Sequence, residues 1–198
     1  QQVKLTASDG ADGDLFGIRV TLSGDTAVIG AAREDGKGED SGAAYVFVRS
    51  GSTWGQQAKL SAANGAAHDR FGTRVALYGN SAVIGSILDD AMSENSGSAY
   101  LFTRSGSRWS QQAKLTASDG AAADYFGYSV SISLDIAIVG AYGDDDNGST
   151  SGAAYIFYRN EGGAYNWGLV KKITASDGAS DDHFGRSLSV QGETVIVG

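Results

Sequence analysis

The chain has 198 residues, of which 41% are hydrophobic and 19% charged, a composition sufficient for a folded core. It contains no cysteine, which excludes disulfide bonds, thiolate metal sites and thiol nucleophiles. Its formal net charge of −8 argues against a nucleic-acid partner, because the phosphate backbone attracts basic proteins. No stretch of the sequence reaches the roughly 18 apolar residues that a membrane-spanning helix needs.

Four strands are predicted in the first part of the chain, each with its own pattern. Val20 and Leu22 alternate with polar residues, which predicts a strand with one apolar face. The apolar run 27–30 predicts a second strand that is covered on both faces. A Ser-Gly-Asp turn separates these two strands, since glycine tolerates a positive φ. The segments 44–49 and 54–62 predict a third and a fourth strand, and no segment shows a helical period.

This set of four strands returns with a period of about 55 residues. Segments like Lys-Leu-Thr-Ala-Ser-Asp-Gly at 4–10 recur at 59–65, 114–120 and 172–178, and a Phe-Gly pair follows each of them. The pairs are Phe16 and Gly17, Phe71 and Gly72, Phe126 and Gly127, and Phe184 and Gly185. We interpret each Phe as packing between repeats and each Gly as permitting close approach. Four antiparallel strands in a repeat of this length predict an all-β chain built of β-propeller blades.

The whole chain, 1–198, is predicted to be one propeller segment with repeats at about 9–63, 64–118 and 119–176. Residues 1–8 are expected to hold an outer strand alone, and 177–198 the first two strands of a further blade. This prediction of fifteen strands amounts to about 3.75 blades, which is an incomplete ring. We expect a longer parent chain or a neighbouring copy to complete it, as in a fibre or filament.

The Phe-Gly pairs, the Val-Ile-Gly-Ala-like second strands and the Gly-x-x-Tyr-x-Phe third strands resemble the FG-GAP family. That family includes the repeats of the integrin α-subunit propeller, and the similarity is greatest to its bacterial and algal extracellular subgroup. The resemblance covers nearly the whole chain and implies a propeller at the cell surface or outside the cell. In integrin-type repeats an Asp-rich calcium loop joins the first two strands, but here that loop is a short turn. The family's calcium site is therefore not carried over.

Most acidic residues are predicted to lie on one face of the propeller. Loops between second and third strands emerge beside the loops that join blades, which places 19 of the 23 carboxylates together. Hard cations take several carboxylate oxygens, so this face is a candidate Ca²⁺ site. The candidate ligands are Glu34, Asp35, Glu39, Asp40, Asp89, Asp90, Asp144, Asp145 and Asp146. The alternative interpretation is that these residues form solvated turns that keep the protein soluble.

The remaining side chains give little indication of catalysis. His68 and His183 occupy different positions in their repeats, so a zinc site is not expected, and no nucleophile elbow occurs. Asn147 begins an Asn-Gly-Ser sequon, which is glycosylated if the chain passes through a eukaryotic secretory route.

The sequence favours a non-catalytic extracellular module for adhesion or structural assembly. Its expected partners are proteins, through self-association or a longer chain, with glycan as a further candidate. One alternative is a calcium-dependent propeller that binds carbohydrate or protein on the acidic face. A more remote alternative is a hydrolase that uses the carboxylates of one blade.

Overall fold

The computed structural model describes residues 3–161 and 166–198, and all regular secondary structure in those ranges is β-strand. In chain order the strands are β1 (Phe16–Ser23), β2 (Thr26–Ala31), β3 (Ala43–Ser50), β4 (Thr53–Leu60), β5 (Phe71–Tyr78), β6 (Ser81–Ser86), β7 (Ser98–Ser105), β8 (Arg108–Leu115), β9 (Ser129–Ser133), β10 (Ile136–Ala141), β11 (Ala153–Arg159), β12 (Trp167–Ile173), β13 (Leu188–Gln191) and β14 (Thr194–Val197). The predicted all-β class is confirmed.

The strands form four consecutive sheets, which we call blades 1 to 4. Blades 1 to 3 hold four strands each, β1–β4, β5–β8 and β9–β12, whereas blade 4 holds β13 and β14. Within a blade each strand pairs antiparallel with the one before it. Between blades, β1 and β2 pack against β5, β5 and β6 against β9, and β9 and β10 against β13. The described residues therefore form an incomplete propeller, as the repeat predicts.

The second strand of each full blade lies in the core because apolar clusters cover both of its faces, and one of these clusters is shared with the following blade. All six residues of β2 are buried, as are those of β6 and β10. In β2, Ile29 joins the apolar cluster of Tyr45 in its own blade, while Val28 joins the cluster of Phe71 in blade 2. A continuous apolar run is what such a strand requires.

The Phe-Gly pair is where one blade touches the next through backbone atoms. The Phe71 N–H donates to the Ser41 carbonyl at 2.9 Å. Gly72 has φ +90°, and a Cβ built there would overlap the carbonyl oxygen of Ala43. A Cβ on Gly30 would in turn overlap the Gly72 carbonyl oxygen. Glycine is needed at both places because no side-chain carbon fits between the two blades.

The predicted outer strand at 1–8 is wrong within the described residues. Residues 1–2 lie outside them, and residues 3–8 form no strand. An outer strand pairs with a third strand, and none of the described strands pairs with this segment. Instead, Leu5 and Ala7 pack on the apolar cluster of blade 1, and the Ser8 N–H donates to Gln56 Oε1 at 2.9 Å. The described residues thus hold fourteen strands rather than fifteen.

The turn between β9 and β10 offers a stabilising substitution. Leu134 has φ +54° and is 52% exposed, whereas the equivalent residues Gly24, Gly79 and Gly192 are glycines with nearly the same φ. We expect Leu134→Gly to raise the free energy of unfolding by about 0.5–1 kcal/mol, since glycine adopts this conformation without strain. Urea denaturation measures the change. Gly79→Leu is the reverse control and should destabilise; two unchanged midpoints would contradict the prediction.

Candidate functional site

The two kinds of acidic loop lie side by side and are joined by backbone hydrogen bonds. His68 N–H donates to the Glu39 carbonyl at 2.7 Å, and Arg70 N–H donates to the Asp40 carbonyl at 3.1 Å. At the next junction, Ala123 N–H donates to Glu94 at 3.0 Å. Each loop that joins two blades therefore runs along the second-to-third-strand loop of the preceding blade. This pairing brings carboxylates that are distant in sequence onto one face.

In each full blade a lysine of the fourth strand forms an ion pair with the acidic loop between the second and third strands. We call this lysine and its polar partners the lysine cluster. In blade 3, Lys172 Nζ lies 2.8 Å from Asp119 Oδ2, 2.7 Å from Asp144 Oδ2 and 2.6 Å from Asp146 Oδ2. The Tyr155 hydroxyl lies 2.8 Å from Asp144 Oδ2 and 2.9 Å from Asp119 Oδ1. One ammonium thus bridges the loop entering the blade, which holds Asp119, and the loop between β10 and β11.

Blade 2 repeats the cluster with two carboxylates fewer. Lys114 Nζ lies 2.9 Å from Asp89 Oδ1, and the Tyr100 hydroxyl donates to Asp89 Oδ2 at 2.6 Å. Asn64 replaces the entering-loop carboxylate, and its Oδ1 lies 3.2 Å from the same hydroxyl. Ser98 Oγ also donates to Asp89 Oδ2 at 2.8 Å. Asp89 is buried, so its charge is balanced by three polar partners rather than by water.

Blade 1 uses a glutamate in the same place. Lys59 Nζ lies 2.8 Å from Glu34 Oε1 and 2.6 Å from Asp9 Oδ2. Burial and the neighbouring Asp9 carboxylate raise the pKa of Tyr45 to about 12. The hydroxyl therefore stays protonated at physiological pH and can act as a hydrogen-bond donor.

The charges of the blade 3 cluster stabilise one another. Burial alone would raise the pKa of Asp119, but hydrogen bonds from Lys172 and Tyr155 outweigh burial and lower it. Burial alone would lower the pKa of Lys172, but hydrogen bonds to Asp119, Asp144 and Asp146 outweigh burial and raise it. Both shifts favour the charged forms of lysine and carboxylate over a wide pH range.

A calcium ion does not fit this arrangement while the lysine is in place. Among the described residues, Asp119, Asp144 and Asp146 form a group of three whose ligand atoms lie within 4.8 Å of one another. Lys172 Nζ occupies the centre of that group, because it lies within hydrogen-bond distance of all three carboxylates. A divalent cation there would have to displace the ammonium. The positive charge that a metal would supply is already provided by a side chain.

The other predicted calcium ligands are separated among the loops. Asp35, Asp90 and Asp145 each accept a backbone N–H five residues later in their own loop, at 2.6–2.8 Å. Asp40 lies 3.8 Å from the Arg33 guanidinium. Glu39 is exposed and contributes its carbonyl to the contact with the next blade. Asn147, the predicted glycosylation site, is exposed between β10 and β11.

Each loop that joins two blades is also closed by an aspartate two residues before the Phe. Asp124 Oδ2 accepts the Ala121 N–H at 2.7 Å, and Asp14, Asp69 and Asp182 accept equivalent bonds at 2.7 Å. Burial, with some help from Asp144 and Asp145, raises the pKa of Asp124 to about 6. The carboxylate is held as a loop-closing acceptor at a cost in charge solvation.

We expect Asp124→Asn to stabilise the protein near neutral pH. A carboxyl whose pKa is raised by folding favours the folded state when protonated, so wild-type stability falls as pH rises from about 4 through about 6. Asparagine cannot ionise, and its carbonyl still accepts the Ala121 N–H. The variant should gain about 1–2 kcal/mol at about pH 7.5 and nothing at about pH 4. Denaturation at both pH values measures this; Asp182→Asn, at the exposed equivalent, should change stability little. Equal effects at both pH values would contradict the prediction.

The lysine cluster escaped the sequence prediction, although a signal for it exists. Lys59, Lys114 and Lys172 recur at the same position of each fourth strand. Each is the cross-strand neighbour of the tyrosine in the third strand. A charged residue repeated opposite a repeated tyrosine indicates a structural pair rather than a solvated surface.

Four-stranded antiparallel sheets stacked in chain order, with a Phe-Gly contact at each junction, define a segment of a β-propeller. The chain belongs to the FG-GAP repeat family, whose model matches residues 1–47, 54–102, 109–157 and 167–198. These are four consecutive repeats. No curated protein matches the chain. Within the described residues there is no helix whose length and apolar character would let it cross a membrane.

Proposed function

We propose that this FG-GAP segment is a non-catalytic extracellular module for adhesion or structural assembly, and that it works by binding further blades of its own type. The observation that carries this proposal is a contrast in exposure at repeat-equivalent positions. Leu77 is 8% and Ile132 6% exposed where a preceding blade covers them, but Leu22 is 65% exposed. Val83 is fully buried where a following blade covers it, but Ile196 is 71% exposed.

These two uncovered faces are the two halves of one interface. Inside the array, the face that carries Leu77 packs against the face that carries Val28, within a single apolar cluster. Leu22 is the equivalent of Leu77, and Ile196 is the equivalent of Val28. A blade presented by a second copy, or by a longer chain, would therefore find a surface that already matches its own. Uncovered apolar faces of this kind favour association.

Light scattering on the 198-residue chain tests the proposal. We expect concentration-dependent association, and we expect Leu22→Asp and Ile196→Asp each to weaken it. Leu134→Asp, at an exposed apolar position in the turn between β9 and β10, is the matched control and should associate like the wild type. If a longer chain carrying the adjoining repeats is monomeric while this segment associates, the natural occupant is the parent chain. A compact monomer with a cooperative melt would contradict the proposal.

Two features support the absence of catalysis and the extracellular location. In every full blade a lysine forms an ion pair with the carboxylate of the loop between the second and third strands, which leaves that carboxylate poorly suited to act in a hydrolase pair. FG-GAP repeats occur in extracellular and surface proteins. The exposed Asn147 would carry a glycan after a eukaryotic secretory route, which an intact-mass measurement before and after glycosidase treatment would detect.

A calcium-dependent binder of carbohydrate or protein is the second candidate. It is supported by the grouping of Asp119, Asp144 and Asp146, and it requires Lys172 to leave that group. A bound ion would raise the melting temperature by mass action. Melts that are identical in Ca²⁺ and in EGTA would contradict this candidate without affecting the blade-binding proposal.

A further inference from the structure

The innermost strands of the propeller line an open cavity of about 660 Å³. Arg19 of β1, Arg74 of β5, Tyr128 just before β9 and Arg186 just before β13 contribute to its wall, so all four blades take part. His183 also lines this cavity. The volume is that of a site for a small ligand.

The geometry of the first strands places the arginines there. A register shift after Phe16 skips two residues, so that Arg19 pairs with Gly30; the same shift pairs Arg74 with Gly85. Small partners across the strand leave the arginine side chains room beside the backbone. The result is one cation from each of the first two blades in the wall of the cavity.

These guanidinium groups are held in position by few bonds. Arg19 Nη1 donates to the Ile18 carbonyl at 2.7 Å, and Arg74 Nη1 donates to the Thr73 carbonyl at 3.0 Å. The Arg74 guanidinium carbon lies 4.3 Å from the centre of the Tyr128 ring. A guanidinium carries five N–H donors, so these contacts use only part of its capacity.

The cations have no carboxylate counter-ion within the described part of the chain. Arg33, Arg49, Arg70 and Arg159 all form ion pairs, whereas Arg19, Arg74 and Arg186 form none. Burial and the charge of Arg19 lower the pKa of Arg74, as expected for like charges brought together.

The two aspartates that line the cavity have other partners. Asp181 Oδ1 accepts from Thr150 Oγ1 at 2.9 Å, and Asp182 Oδ2 accepts from the Ala179 N–H at 2.7 Å. These hydrogen bonds belong to the loop that joins blades 3 and 4. Neither bond removes the charge of its carboxylate, so three guanidinium groups stand against two carboxylates and leave the cavity lining with an excess of one positive charge. The formal net charge of the whole protein, by contrast, is −8.

The side chains of the cavity also depart from the repeat. The residue three positions after each Phe is arginine in blades 1 and 2 but serine in blades 3 and 4. The residue two positions after each Phe differs in every blade: Ile18, Thr73, Tyr128 and Arg186. Phe, Gly and the lysine cluster recur because every blade needs them to pack. Side chains that differ from blade to blade at one shared cavity indicate a ligand rather than packing.

We propose that Arg19, Arg74 and Arg186 bind a ligand that carries two or more negative charges on oxyanion groups at the propeller axis. Guanidinium groups pair with carboxylate, sulfate and phosphate through two parallel hydrogen bonds. The Tyr128 ring provides a flat surface that fixes one of the three cations. Local positive charge in an acidic protein attracts such a ligand to this cavity and away from the rest of the surface.

Isothermal titration calorimetry with citrate, sulfate and acetate at constant ionic strength tests the proposal. We expect citrate or sulfate to bind more tightly than acetate, and Arg19→Gln and Arg74→Gln each to weaken binding by about tenfold or more. Arg108→Gln, on an exposed arginine at the start of β8, is the matched control and should bind like the wild type. Preference for citrate would identify carboxylate groups as the ligand chemistry, and preference for sulfate would identify sulfate or phosphate esters.

A conservative variant separates binding from folding. Arg74→Lys keeps the charge and loses the planar pair of donors, so it should melt like the wild type and bind more weakly. Absence of heat with both citrate and sulfate would overturn the proposal. So would an Arg19→Gln, Arg74→Gln, Arg186→Gln triple variant that binds like the wild type.

Discussion

Replacing Lys172 with methionine is expected to lower the free energy of unfolding by about 3 kcal/mol near pH 7. The ammonium lies within 2.8 Å of three carboxylates, and one of them, Asp144, is buried. Methionine keeps most of the aliphatic stem, so the loss reports the charge rather than the packing. Removing the cation leaves Asp144 without an ionic partner and brings Asp119 and Asp146 into repulsion with it. Urea denaturation measures the effect.

A control and a pH series make this prediction specific. Lys171 is the exposed neighbour on β12, and Lys171→Met should change stability little. Lys172 and Tyr155 lower the pKa of Asp119 in the folded protein. A lowered pKa contributes stability above the ordinary carboxyl range, and that stability is lost as pH falls through the folded pKa. The gap between wild type and Lys172→Met should therefore shrink toward about pH 3. A gap that is equal at both pH values, or an equal loss in Lys171→Met, would contradict the role assigned to the cluster.

Gly127→Ala is expected to destabilise the protein by about 3 kcal/mol or more, because it acts on the contact between blades 2 and 3. Gly127 has φ +93°, and a Cβ there would overlap the carbonyl oxygen of Ser98. Neither the backbone of β7 nor that of β9 can retreat without separating two packed sheets. The loss should appear as a lower midpoint in thermal and urea denaturation.

Gly106→Ala distinguishes this overlap from the effect of a positive φ alone. Gly106 has φ +61°, and a Cβ there would meet no atom within 4 Å. We expect it to cost about 1 kcal/mol. Equal losses in the two variants would show that close approach between blades contributes nothing to stability.

The repeat made most of the fold predictable. Strand positions followed from alternation at Val20 and Leu22, from the apolar run 27–30 and from glycine turns. Such signals act over a few residues, and four copies of them reinforce one another. The blade order followed as well, since short turns leave each strand little choice of neighbour. The prediction failed at residues 3–8, where a strand pattern lacks a partner strand and remains irregular.

The side-chain clusters were harder to predict because their members are distant in sequence. Lys59 and Asp9 are 50 residues apart, yet their charged atoms lie 2.6 Å apart. Sequence reasoning placed the carboxylates on one face but assigned them to solvent or a metal. The lysine partner of these carboxylates was not predicted, because the register between β3 and β4 decides which side chain lies opposite Tyr45. Arg19 and Arg74 likewise meet only when the blades stack.

The hydrogen bonds between loops of neighbouring blades also define where the propeller can accept foreign sequence. Residues 39–41 provide carbonyl acceptors for His68, Arg70 and Phe71, so the length of that loop sets the entry of the next blade. Among the described residues, the turn between β7 and β8 provides no such carbonyl acceptor for a neighbouring blade. A Cβ on its Gly106 would meet no atom within 4 Å. A peptide epitope grafted into that turn would be displayed without disturbing the scaffold, whereas the same graft at 39–41 would uncouple blade 1 from blade 2.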